Sequence, residues 1–173
     1  VTAGAGGHGG NLNPFAFISE VRAFFKGTIC LAGTISTGAD IVAARLMGAD
    51  YAYIGTRFLT AAEGQTTDDF KQMVIDAQIE DIIYTDAFSG VHANYLIPSI
   101  IKNGLDPRNL QSKGKLDFSG MTDAKAWKDI WSAGQGVGGV TERQTIAEIA
   151  EELRVQMQEA IEKAGSLLTK ENV

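Results

Sequence analysis

The sequence predicts an α/β protein with a mostly parallel sheet. Three observations carry that reading. Residues 28–56 run strand, helix, strand, with two short apolar runs (28–32 and 51–54) each ending in a glycine, Gly33 and Gly55. The amphipathic stretch 37–47 between them has the length of a parallel crossover. A further helical pattern follows the second run, so the strand–helix unit repeats, and 173 residues with 45% apolar content suffice for one domain with a sizeable core.

Taken in order, residues 1–3 read as the end of a strand and residues 4–10 as a glycine-rich loop carrying His8. Asn13 as cap and Pro14 in the first turn start a helix to about Phe25, with Phe15, Ile18, Val21 and Phe25 on one face; Gly27 ends it. The strand 28–32, a helix from about Gly38 to Met47 closed by Gly48, and a strand 50–54 follow. Thr66 or Thr67 caps a helix to about Glu80, with Phe70, Val74 and Ala77 inward. Beyond it the pattern changes. Residues 81–85 are β-prone, Phe88-Ser89-Gly90 is a turn, and a short helix is expected over about 92–102, closed by Gly104. Asp106-Pro107 marks another turn, and 111–121 reads as a polar loop. Residues 123–131 read as a short helix packing Trp127, Ile130 and Trp131, before a second glycine-rich loop over 132–139. Thr141-x-x-Gln144 has the form of a capping box and opens the longest helix, about Glu142 to Ala164, ended by Gly165. Its stripe is Ile146, Ile149, Leu153, Met157 and Ile161.

Composition narrows the function. The net charge of -6 comes with no basic block, which argues against nucleic acid or an anionic membrane surface as partner. No apolar run reaches transmembrane length. The single cysteine, Cys30, lies in an apolar run and is expected as a buried thiol; with no disulfide possible within the chain, a reducing, cytoplasmic location is expected. The chain opens on Val1 with what reads as the end of a strand and shows no signal peptide, so it is expected to be a piece of a longer protein whose missing part lies upstream.

Gly33, Thr34, Gly55 and Thr56 stand at the ends of two neighbouring parallel strands and form a candidate phosphate cradle. The alternative is a pair of ordinary strand-to-helix turns. A nicotinamide-type fold is disfavoured, because the first strand lacks the GxGxxG spacing. His8, in Gly-Gly-His-Gly-Gly, has two readings. It is open to a ligand, able to take a proton from an acidic carbon or orient a polar group, or it is a loop histidine satisfied by backbone. No residues sit at metal-ligand spacing. Arg57 reaches either a phosphate or a surface ion pair. Tyr51, Tyr53, Phe58 and Trp131 line an aromatic pocket or belong to the core. Asp81, Asp86 and His92 make a weak catalytic cluster, and Ser89 lacks the leading glycine of a nucleophile elbow.

Four motifs taken together, AGAGGHGG at 3–10, LAGTIS at 31–36, GADYAYIGTRF at 48–58 and WSAGQGVG at 131–138, resemble the nitronate monooxygenase family. The resemblance covers nearly the whole chain but only the later half of a family member. It implies the C-terminal part of a (β/α)8 TIM barrel with additional helices: barrel portions at about 1–80 and 132–173, and a small helical insertion at about 81–131. Residues 1–3, 28–32 and 50–54 would be its sixth to eighth strands. The implied cofactor is FMN, its phosphate over the last two strands, where barrel enzymes commonly bind phosphate. By the same resemblance Gly33 and Thr34 match the glycine pair after the seventh strand, and Tyr53, Ile54, Gly55 and Thr56 the phosphate segment after the eighth. Gly9 and Gly10 match backbone approaching the flavin, His8 the catalytic base or substrate-orienting group, and Gln135 a loop bordering the site. Thr34 departs from the family's second glycine. Its side chain narrows the backbone approach, while its hydroxyl is expected to be able to bond a phosphate oxygen.

The implied activity is oxidation of alkyl nitronates by O2 to carbonyl compounds and nitrite. With nitroalkanes as substrates, His8 would first remove the α-proton. The alternatives are an FMN-dependent enoyl-acyl-carrier-protein reductase using NAD(P)H, a flavin-binding module without catalysis, or an inactive fragment. The implied partners are a small-molecule substrate and O2. A partial barrel leaves strand edges unpaired, so a homodimer mate or a companion chain supplying the missing strands is also expected.

Overall fold

The computed structural model describes residues 1–114 and 129–169. It opens with a parallel bridge, Thr2 to Ala32, made by Ala3 N–H donating to Ala32 O (2.9 Å) and Ala32 N–H donating to Val1 O (2.9 Å). The loop 4–10 leads into α1 (Pro14–Phe24), whose cap Asn13 accepts from the Phe15 amide at 2.9 Å. Then come β1 (Cys30–Ala32), α2 (Gly38–Leu46), β2 (Tyr51–Tyr53), the single-turn α3 (Thr56–Leu59) and α4 (Asp68–Asp76). β1 and β2 pair in parallel with Cys30 against Tyr51 and Ala32 against Tyr53. The expected α/β organisation is therefore present, with Thr2, β1 and β2 side by side.

Residues 29–32 alternate. Ile29 and Leu31 point into a core with Ile18, Ala44 and Ala49, while Cys30 faces the opposite way. Fully burying side chains such as Ile18 and Leu31 contributes about 1.5–3 kcal/mol each. The helix face of α1 is centred between Ile18 and Val21, with Phe17 on its flank. Phe15 and Phe25 of the expected stripe stand outside that face and are exposed. Arg22 of α1 braces the turn into β2 through an ion pair with Asp50 at 2.8 Å, and Asp50 also accepts from the Ile29 amide at 2.8 Å. That amide and the guanidinium hold the Asp50 carboxyl below the ordinary carboxylate range.

α4 is capped by Thr67 and stops at Asp76, short of Glu80; a 3-10 turn, Ile79–Asp81, intervenes. β3 (Ile82–Thr85) falls where the β-prone run was expected. The helix expected over 92–102 is corrected. Residues Ala93–Leu96 form β4, antiparallel to β3 and buried at every position, and only Ile97–Lys102 are helical, as α5. Pairing with β3 overrides local helical preference, and Pro98 sits where a first helical turn tolerates it. Asp106 caps a 3-10 turn, Pro107–Asn109. The helix expected over 123–131 and its Trp127 lie largely outside the described residues. Ile130 and Trp131 are described. Trp131 stacks on Phe70 of α4 (ring centroids 4.8 Å), and Ile130 packs in a second core with Tyr95 and Ile100.

The last helix, α6 (Ile146–Thr169), starts later and runs further than expected. Its capping box is Thr145-x-x-Glu148: the Glu148 carboxylate accepts from the Thr145 amide (2.7 Å), and Thr145 Oγ1 accepts from the Glu148 amide (3.2 Å). Gln144, the residue expected to close the box, is drawn away to Arg57 and Glu152. Ile149 and Leu153 are buried against α2 and α3, whereas Ile146 and Ile161 are exposed. Gln156 ties α6 to α2 by accepting from the Gly38 amide at 2.8 Å. Cys30, expected as a buried thiol, is exposed; it shares the uncovered face of the β1–β2 pair with Tyr51 and Tyr53. No helix among the described residues is long and apolar enough to cross a membrane.

Candidate active site

Three backbone segments converge at the C-terminal ends of β1 and β2. The Gln135 amide donates to Gly4 O (2.8 Å), the Gly134 amide to Thr56 Oγ1 (2.8 Å), and Ser36 Oγ to Gly136 O (2.6 Å). The second glycine-rich loop, whose residues Gln135–Gly139 form a 3-10 turn, is thereby stitched to the His8 loop and to both strand tips. The sequence offered no partner for that loop.

Between them lies a cavity of about 480 Å³. Of the expected site residues, His8, Gly9, Gly33, Thr34, Tyr53, Gly55 and Thr56 line it. Gly10, Ile54 and Gln135 do not. Gly10 O accepts from the Gly4 amide at 2.5 Å and so closes the His8 loop, Ile54 packs into the core, and Gln135 lies against Gly4 behind the wall. Ser36, Ser132 and Ala133 line the cavity as well and escaped sequence reasoning. None of the described lining residues is Lys, Arg, Asp or Glu, so an anion bound here would be held by backbone amides and hydroxyls.

The two cradle glycines differ. Gly33 (φ +91°) is required by the fold: a Cβ there would stand 2.3 Å from Ala3 O and 2.4 Å from Ala5 N. Gly55 has an ordinary φ of -112°, and a Cβ there would meet nothing within 4 Å. Neither conformation nor packing among the described residues demands glycine at 55, which is exposed and lines the cavity. Thr34 has φ +60°, in the left-handed region that β-branched residues avoid. Its hydroxyl donates to Gly33 O at 2.6 Å, so its proton is committed to the chain. The expected donation from Thr34 to a phosphate is therefore not made in this arrangement.

The structure separates the remaining alternatives. Arg57 does not reach the cavity; only 2% exposed, it is turned to Glu152 and Gln144. Phe58 and Trp131 pack in the core and Tyr51 lies outside the cavity, so Tyr53 alone of that group lines it. Asp81 is used by the Gln78 amide and Asp86 by Ser112, whose hydrogen bond holds the Asp86 carboxyl low, while the His92 ring lies 5.0 Å from that of Tyr84. Asp86 and His92 are near enough for the His92 charge to act on the carboxyl, but none of the three lines the cavity. Among the described residues no group of His, Cys, Asp and Glu could hold a metal ion. Ser89, set aside as a nucleophile, lies 3.4 Å from His8 Nε2 through Oγ. Asn94 was missed altogether; its one signal is an amide side chain inside an otherwise apolar run.

Known proteins agree with the motifs. A nitronate monooxygenase of Paraburkholderia phytofirmans is 30% identical over 114 residues, covering 61% of this chain and 31% of that protein. Two solved structures share the fold. FabK from Thermotoga maritima has a TM-score of 0.76 at 24% identity over 94% of this chain and 54% of its own. Nitroalkane oxidase from Streptomyces ansochromogenes has a TM-score of 0.73 at 24% identity over 94% and 52%. The chain thus spans about a third of that curated relative and about half of each solved neighbour. The family model described as nitronate monooxygenase matches residues 2–156, and the chain belongs to that family.

Proposed function

We propose that this chain carries the FMN site of an oxidoreductase that converts alkyl nitronates with O2 to carbonyl compounds and nitrite. The observation that carries the reading is one cavity lined both by His8 and by the tips of two adjoining parallel strands. A further observation supports FMN: Gly55 lines the cavity with open space at its Cβ position, beside the backbone of Gly33, Thr34 and Thr56. Backbone amides of Gly33, Thr34, Gly55 and Thr56 would hold the phosphate, with Tyr53 and Ile54 setting the course of the second strand tip. Gly9 would lie along the flavin, Gly10 would close the His8 loop behind it, and Gln135 would brace the wall through Gly4. Bound FMN supplies the redox chemistry, taking electrons from the organic substrate and passing them to O2. His8 orients the nitro group of a nitronate, or removes the α-proton of a neutral nitroalkane.

The same reading assigns Thr2, β1 and β2 to the last strands of a (β/α)8 barrel. Residues 1–80 and 132–173 are its barrel portion, and 81–131 an insertion. The exposed Cys30, Tyr51 and Tyr53 then face the barrel interior. The remaining strands come from the rest of a longer chain, a homodimer mate or a companion chain. Likeness to FabK supports a second reading, reduction of an enoyl-acyl carrier protein by NAD(P)H on the same site.

One experiment separates the two. The full-length protein, loaded with FMN, is given ethyl nitronate in air and, separately, NAD(P)H without O2. Nitrite release with O2 uptake supports the first reading. Flavin bleaching by NAD(P)H without nitrite formation from the nitronate replaces it with the second.

A further inference from the structure

His8 sits in a loop with glycine at five of the seven positions 4–10. Such a loop has the largest backbone entropy to lose on ordering and almost no side chains to pack. Its order must come from elsewhere. The second glycine-rich loop and the Gly4–Gly10 hydrogen bond hold its ends, and the β3–β4 hairpin holds the stretch that carries the ring, through one residue. Asn94 of β4 is fully buried. Its Nδ2 donates to Ala5 O (2.6 Å) and Gly9 O (3.2 Å), and its backbone N–H donates to Gly7 O (2.9 Å). Three carbonyls that bracket His8 are thus held by a single asparagine, with Gly7 and Asn94 forming an antiparallel bridge. The amide orientation is unambiguous, because turning it over would set Oδ1 against two carbonyl oxygens. Losing the two side-chain donors would leave the Ala5 and Gly9 carbonyls short of them, a cost concentrated on this loop.

The same hairpin touches the ring. Ser89 Oγ donates to Val91 O at 2.9 Å and presents a lone pair to His8 Nε2 at 3.4 Å. The hairpin thus places a hydroxyl beside one nitrogen of the His8 ring.

We propose that Asn94 is a positioning residue for His8: it fixes the loop so that the imidazole faces the cavity, with Ser89 Oγ beside Nε2. The proposal rests on the catalytic reading of His8 given above.

The test is a double-mutant cycle in the full-length protein loaded with FMN, with ethyl nitronate and O2 as substrates. Asn94→Ala is expected to retain FMN, to lower kcat on the order of 10- to 100-fold and to leave KM within about threefold. Combined with His8→Asn, Asn94→Ala is expected to add almost nothing, since it acts through the ring already removed. Asn94→Asp, equal in size but lacking the donor pair, is expected to behave as Asn94→Ala does. Ser89→Ala is expected to give a smaller kcat loss that also vanishes in the His8→Asn background. If His8→Asn alone turns over normally, the catalytic reading of His8 fails first. If His8→Asn is impaired and Asn94→Ala multiplies that loss in full, or leaves kcat unchanged, the positioning role is wrong. Loss of FMN binding in both Asn94→Ala and Asn94→Asp also overturns it, since the residue would then hold the fold and not the ring.

Discussion

The Arg57 guanidinium, next in sequence to a cavity residue, turns its back on the cavity and lies 2.8 Å from the Glu152 carboxylate of α6. Gln144 accepts from the same Nη2, and Nη1 is buried without a hydrogen-bond partner among the described residues. Glu152 remains 36% exposed, so solvent screens the pair from one side. Removing the carboxylate strands a buried cation. Glu152→Ala is expected to lower the unfolding free energy by about 1–3 kcal/mol, read from the urea midpoint. Adding Arg57→Met to that variant should recover part of the loss, and no recovery would show that the cation is not the source of the cost.

Gly33 and its neighbour Thr34 call for opposite substitutions. Gly33→Ala puts a Cβ 2.3 Å from Ala3 O at φ +91° and is expected to destabilise by more than about 2 kcal/mol. Thr34→Gly relieves a left-handed β-branched residue, worth about 1–2 kcal/mol, against about 0.5–1 kcal/mol of added unfolded-state entropy. The net is a thermal midpoint equal to or above that of the starting protein. A clear fall in the Thr34→Gly midpoint would mean that the hydrogen bond to Gly33 O outweighs the backbone strain.

Cys30 reports on what covers the β1–β2 face. It is exposed in this chain, in line with Tyr51 across the strand pair. A thiol-reactive dye should label Cys30 of the isolated 1–173 chain rapidly and Cys30 of the native full-length protein slowly. Equal rates would contradict the proposed barrel interior.

Glu148 supplies a pH-dependent increment to α6. Its carboxylate accepts from the Thr145 amide (2.7 Å) and hydroxyl (2.8 Å), which hold its pKa below the ordinary glutamate value. A depressed folded pKa means that the increment is present at neutral pH and lost as pH falls through the folded value. Glu148→Gln should therefore be less stable than the unsubstituted protein at neutral pH, with the difference shrinking on acidification. A difference independent of pH would assign the effect to the helix sequence and not to the carboxylate.

The strand–helix–strand core and the four strand-tip residues that line the cavity, Gly33, Thr34, Gly55 and Thr56, were legible in the sequence, because apolar runs ending in glycine announce themselves locally. The Asn13 and Thr67 caps were legible for the same reason. What misled was long-range. Ala93–Leu96 is a strand because β3 lies beside it, and Gln144 leaves the capping box because Arg57 is near. Cys30 is exposed because only one face of its sheet is covered among the described residues. Asn94 was invisible because its partners lie at Ala5 and Gly9, far back in the chain.

The central claim is that the space beside Gly55 takes the phosphate of a flavin. Full-length protein and its Gly55→Val variant are each incubated with excess FMN, passed through gel filtration, and read by visible absorbance and circular dichroism. Because a Cβ at 55 meets no atom within 4 Å among the described residues beyond its chain neighbours, both should show the same far-ultraviolet spectrum and closely similar thermal midpoints. The parent should carry equimolar FMN and the variant little or none. A parent that retains no flavin, or a folded variant that binds it as tightly, would contradict the account.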